Sequence, residues 1–139
     1  MLQVERYHHI SCGHRLYGHE GKRWNLHRHN YRIHSVCEAS ALDEMGRIII
    51  DFSAIKTLLC NWLEDHWDHR MLLAADDPFY ACLRDIDASV VSASFNPIVE
   101  KMARWRVTPL SPDVLQGTAA RLVEVLVEET RKCNATYRL

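Results

Sequence analysis

The stretch LHRHNY, residues 26 to 31, opens an alternating run and sets two histidines on either side of an arginine. In an extended strand, side chains two apart share a face, so His27 and His29 point the same way, about 7 Å apart along the chain. That is a metal-ligand spacing with one ligand missing. Reading outward, residues 3 to 14 and 29 to 40 carry β-branched and aromatic residues and are predicted to be strands joined by hairpins. ALDEMGR, 41 to 47, reads as a turn before IIID.

After Asp51 the positions Ile55, Leu58, Leu59, Trp62, Leu63 and His66 recur at helical spacing, which predicts a helix over 53–66 capped by Asp51 or Ser53. A second helix follows FNP and carries Val99, Met102, Ala103 and Arg106 until TPLSP, 108 to 112, interrupts it. SPDVLQGTAARL is a candidate to resume as helix. In RLVEVLVEE, 121 to 129, Val123, Val125 and Val127 share one strand face and Glu129 continues it, so an apolar face ends on a carboxylate. Residues 74 to 95 read as a long connection with short elements inside it. The expected class is α+β, with antiparallel strands.

A chain of 139 residues is long enough for one domain with a real core and too short for two, so 1–139 reads as a single domain. Seventeen Lys and Arg against eighteen Asp and Glu give a net charge of -1, which supplies no drive toward nucleic acid or an anionic membrane. A small-molecule partner is favoured. MLQVERYHHI lacks a basic segment followed by an apolar core, and the expectation is a cytoplasmic protein. Five scattered cysteines without a CxxC pair are expected to be reduced thiols.

His14, in the strand-like segment SCGHRL, is the candidate third ligand. Three imidazoles leave the fourth tetrahedral position of a zinc ion open to water or a substrate oxygen, the catalytic rather than the structural arrangement. Spacing alone leaves chance recurrence in a chain with nine histidines equally open.

CGHRL at 12 to 16 and HRHNY at 27 to 31 resemble the zinc-histidine segments of the 6-pyruvoyltetrahydropterin synthase and 6-carboxytetrahydropterin synthase family. GRIIIDFSAIK, WDHR at 67 to 70, NPIVE at 96 to 100 and EETRKCNATY at 128 to 137 follow in that family's order, so the resemblance runs nearly end to end. It implies a tunnelling fold, an antiparallel sheet with helices on one face, whose trimers close into a barrel and pair into homohexamers. The same resemblance implies Zn2+ held by His14, His27 and His29, an Asp68–His69 proton relay, and Glu129 as anchor for the 2-amino and ring N–H groups of a pterin. The pocket then lies between subunits, with Glu129 reaching a site whose zinc histidines belong to a neighbour.

The implied activity is a zinc-dependent lyase acting on 7,8-dihydroneopterin triphosphate. Its 6-carboxytetrahydropterin form, in the route to 7-deazapurines such as queuosine, is favoured over the 6-pyruvoyl form. The alternatives are aldolase-like release of 6-hydroxymethylpterin and a non-catalytic pterin-binding homologue.

Three substitutions and one insertion depart from the family pattern. The family's catalytic cysteine, four residues before the H-x-H pair, is Arg23, and a guanidinium cannot act as base, although it could hold a phosphate group. Cys12, two before His14 on the same strand face, is the candidate substitute thiol, with small-residue packing as its plainer role; His19 and Glu20 are weaker candidates. The family's hydroxyl pair before Glu100 is Ile98-Val99, and its glycine between the two histidines is Arg28, expected on the face away from them. The added length between Asp68 and Asn96 is expected to alter the rim of the site.

Overall fold

The structure is a computed structural model that describes residues 2–18, 25–39 and 52–139. Arg23, His19, Glu20, Asp51 and the turn expected at 41–47 lie outside the described residues. Two long strands, β1 (Leu2–His14) and β2 (His27–Ala39), pair antiparallel over their whole length, so the strand reaches back to include His27 itself. The later strands are β3 (Met71–Ala74), β4 (Val91–Ala93), β5 (Arg121–Glu129) and β6 (Cys133–Arg138). The six form one sheet in the order β4-β3-β1-β2-β5-β6.

The sheet is mixed, which corrects the all-antiparallel expectation: β3 runs parallel to both β1 and β4. The reason is connectivity. The chain leaves β1 through β2 and a helix before returning as β3, and such a crossover delivers a parallel neighbour where a hairpin cannot. The segment 74–95 holds β4 and a short helix, α2 (Phe79–Ile86), and β6 is a strand that sequence patterning did not single out.

Phe52–Ile55, Lys56–Cys60 and Asn61–His66 run on as one helix, α1, whose middle portion is π-helical. Ser53 lies inside its first turn rather than at a cap, and His66 is exposed at its end. Val99–Trp105, Arg106–Leu110 and Ser111–Val114 likewise run on as α3. TPLSP therefore does not interrupt this helix. The π portion contains Pro109, and a widened turn accommodates a residue that lacks an N–H and whose ring collides with the carbonyl four residues back. The buried Arg106 donates from Nη2 to the Leu59 carbonyl at 3.1 Å and so ties the two π portions together. Gly117, at φ +83°, takes the left-handed turn after α3, so SPDVLQGTAARL is helical only through Val114.

Both long helices pack on one face of the sheet. Ile55, Leu59 and Leu63 from α1 and Met102, Ala103 and Val107 from α3 share a core with Ile10, Tyr31, Ile33, Val125 and Val127. Leu122 and Val123 are both buried because the β2–β5 register shifts between Val36 and Cys37. The open face carries ions instead: His34 meets Glu5 through Nδ1 and Glu128 through Nε2, each at 2.7 Å, and its hydrogen bond is the leading cause that lowers the Glu128 pKa. No helix among the described residues is long and apolar enough to cross a membrane.

Candidate metal centre and substrate cleft

The antiparallel register sets His14 opposite His27 and Cys12 opposite His29 at the end of the β1–β2 ribbon. Three imidazoles meet there because each lies on the core-facing parity of its strand. The ring centroids of His14 are 4.4 Å from His27 and 5.5 Å from His29, and one ring nitrogen from each histidine lies within 4.8 Å of the others. Gly13 belongs to this packing, since a Cβ there would approach the Met71 side chain at 2.5 Å and the His27 carbonyl at 3.3 Å.

The donor chemistry fits a metal. His14 Nδ1 sits 2.6 Å from the Pro97 carbonyl and donates to it, which leaves Nε2 as the lone-pair nitrogen. His27 Nδ1 does the same to the Asn25 carbonyl at 2.8 Å. Backbone acceptors that fix the tautomer of ligating imidazoles are the usual outer partners of zinc sites. Beneath them, Tyr31 is 1% exposed with its hydroxyl 3.3 Å from His14 Nε2, and burial pushes its pKa far above the ordinary phenol value, so it stays neutral.

Glu129 stands opposite Tyr31 in the β2–β5 register, and its Oε1 lies 2.8 Å from His29 Nε2. The expectation that Glu129 serves a neighbour's histidines is thus corrected, because pairing of β5 with β2 carries the carboxylate to the triad of its own chain. Triad and carboxylate line one cavity of about 620 Å³ together with Leu16, Ile98, Val99, Glu100, Thr130, Cys133 and Asn134. Residues 71–95 contribute nothing to that lining. They build instead, with Tyr17, Asn96 and Lys101, a separate cavity of about 430 Å³. A pair of hydrogen bonds between the Asn96 amide and the Tyr17 backbone, at 2.8 and 3.1 Å, joins β1's exit to the loop that carries Pro97.

Asp68 and His69 form the expected pair, with Oδ2 3.0 Å from Nδ1, but neither lines the triad's cavity. They sit beside Ser11, whose N–H donates to Asp68 Oδ1 at 2.8 Å and whose carbonyl accepts from the His69 N–H at 2.6 Å. The His69 backbone is left-handed, at φ +58°, and its side chain is 75% exposed.

Cys12 lies on the triad's face, yet it is 2% exposed, and burial, with the Asp68 carboxylate, pushes its thiol up to about 12. A thiol at this depth packs as a small apolar side chain, the plainer of the two roles expected for Cys12. Sequence reading passed over Cys133, an exposed thiol in the cleft paired in register with Glu129; the signal was its place four residues after the carboxylate across a hairpin. Alkylation at pH 8 is therefore expected to label Cys133 and the exposed Cys82 in the folded protein and to spare Cys12, as peptide mass mapping would show. Labelling of Cys12 at the rate of Cys133 would contradict its burial.

A curled mixed sheet backed by helices brings three histidines and a carboxylate into one cleft, a donor set of the kind that holds a metal ion. The family model described as 6-pyruvoyl tetrahydropterin synthase matches residues 3–139, and the chain belongs to that family. It is 34% identical to 6-carboxy-5,6,7,8-tetrahydropterin synthase of Rickettsia felis over 137 residues, which is 96% of this chain and 97% of that protein. The namesake of Rickettsia bellii is 26% identical over 141 residues, 96% of this chain and 97% of its own. Among solved structures, the fold matches an uncharacterized Wolinella succinogenes protein with a TM-score of 0.82 at 18% identity, covering 99% of this chain and 97% of that one. It also matches the Caenorhabditis elegans 6-pyruvoyl tetrahydropterin synthase with a TM-score of 0.66 at 24% identity, covering 99% and 95%.

Proposed function

We propose that the chain is a zinc-dependent lyase acting on 7,8-dihydroneopterin triphosphate, with a 6-carboxytetrahydropterin product favoured by its similarity to the Rickettsia felis protein. The observation that carries this reading is the meeting of His14, His27, His29 and Glu129 in one cleft of one chain. Bound zinc supplies Lewis acidity that makes the substrate's side-chain hydroxyls easier to deprotonate. Glu129 takes the pterin's 2-amino and ring N–H groups through a two-oxygen fork, and the apolar Leu16, Ile98 and Val99 enclose the ring.

Asp68 holds the proton of His69 Nδ1, which leaves Nε2 on an exposed ring free to exchange protons with a substrate. Because that ring lies outside its own chain's cleft, we place its action on the cleft of a second subunit, in a homo-oligomer of the hexameric kind the family resemblance implies.

Incubation of zinc-loaded protein with dihydroneopterin triphosphate, followed by mass spectrometry, separates the outcomes. A 6-carboxy or 6-pyruvoyl product supports the lyase. A 6-hydroxymethylpterin indicates aldolase-like cleavage, and unchanged substrate with measurable pterin binding indicates a binding homologue.

The anchor has its own test. Glu129→Gln replaces one acceptor oxygen by a donor and is expected to weaken pterin binding by about 1.5 to 3 kcal/mol, the worth of a charge-assisted hydrogen bond. Calorimetry that finds unchanged affinity removes Glu129 from this role.

A further inference from the structure

We propose that Arg28 is the grip for the substrate's phosphate arm, set beside His69 so that the histidine and the anion site serve the same bound molecule. This rests on the pterin-triphosphate reading above for the identity of the ligand, but its geometry is independent of the metal centre.

Strand alternation turns Arg28 to the open face of the sheet, away from His27 and His29, and the residue is exposed. From its place opposite Gly13 the side chain reaches diagonally across β1, and Nη2 donates to Ser11 Oγ at 2.6 Å. Ser11 is also the residue whose backbone N–H and carbonyl hold Asp68 and His69. One serine therefore fixes three groups: the guanidinium through its hydroxyl, the carboxylate through its amide, and the left-handed His69 through its carbonyl.

Three other arginines of the sheet are neutralised locally. Arg32 lies 3.7 Å from Glu128, Arg121 2.9 Å from Glu38, and Arg138 meets Glu124. Arg28 forms no ion pair with a carboxylate among the described residues, and Asp68, the acid nearest in this network, already spends one oxygen on Ser11 and the other on His69. An exposed guanidinium held by one hydrogen bond keeps its remaining N–H edges for an external oxyanion. Of the groups on the proposed substrate, only the triphosphate offers such oxygens. The charge departs from the H-G-H segment of the family that the sequence resembles, which has glycine at this position.

The test uses inorganic triphosphate and phosphate-free dihydroneopterin as separate calorimetric probes of the full-length, zinc-loaded protein. Arg28→Gln keeps a donor for Ser11 but removes the charge. It is expected to weaken triphosphate binding about tenfold or more while dihydroneopterin affinity stays within about twofold, and Arg28→Lys is expected to restore much of the loss. In turnover, Arg28→Gln should raise KM for the triphosphate ester with a far smaller change in kcat. The proposal is overturned if wild type does not bind triphosphate, if Arg28→Gln binds it equally well, or if both probes weaken together, which would make Arg28 only a brace for the 67–70 loop. Triphosphate binding that depends on Arg28 in a protein that ignores dihydroneopterin would uphold the anion site and reject the pterin reading.

Discussion

His27→Ala is expected to leave the protein unable to hold zinc tightly, with affinity lowered by more than about 100-fold, because even the loss of an outer hydrogen-bond partner costs a metal site about 10- to 100-fold. A site with three protein ligands has none to spare, and His27 Nδ1 is committed to the Asn25 carbonyl, so its Nε2 is the nitrogen turned to the cluster. Among the described residues the close cluster of ligand atoms comprises only His14, His27 and His29, and the other donor-bearing members of the cleft are Glu100, Glu129, Thr130, Cys133 and Asn134. Of these, Glu129 is already on His29. The fold should survive, because His27 lies at the end of β2 and the core cluster does not include it. Metal analysis after dialysis, with circular dichroism to check folding, measures both. One firmly retained zinc per chain in this variant would show that the ligand set is wrong.

The second large effect concerns His69. His69→Ala is expected to lower turnover by about 10²- to 10⁴-fold, the range for a general acid–base group, while zinc content stays at the wild-type level. If the relay serves the cleft of another subunit, His69→Ala and His27→Ala subunits should complement each other when co-expressed. An intact cleft then comes from one variant and an intact relay from the other, so random mixing in a cyclic assembly restores about a quarter of wild-type activity. Mixed oligomers no more active than the two parents would place the relay within its own chain or outside the reaction. His69 is an imidazole 75% exposed, on a left-handed backbone held by the Ser11 carbonyl, and it is not among the residues that line the cavity of its own chain.

How much of this was legible beforehand differs by element. The two long strands and the helix over 53–66 could be read because period-two and period-3.6 apolar patterns survive any tertiary arrangement that buries one face. Pro109 misled because a proline is a local signal of helix termination, while the widened turn that absorbs it is held by packing of Val107 and Leu110 and by the Arg106–Leu59 bond between helices. The parallel pairing of β3 and β4 was hidden for a related reason: strands of four and three residues show no usable periodicity, and their direction follows from the crossover that delivers them. Cys12 was placed correctly on the triad's face by parity, but parity says nothing of depth, and depth decides whether a thiol ionises.

By itself the sequence determined the strand that carries His27 and His29, the parity that sets those two on one face of their strand and Cys12 with His14 on one face of theirs, and the order of motifs that marks the family. Those are local or ordered features, and alternation along one strand needs no knowledge of its neighbours. Only the tertiary structure decided that Glu129 meets His29 of its own chain, that Cys12 is sealed while Cys133 lines the cleft, and that Ser11 gathers Arg28, Asp68 and His69. Each of these depends on strand register or on the depth of a side chain beneath its neighbours. Both are settled by packing between segments far apart in the chain, where a shift of one residue would turn every side chain to the other face.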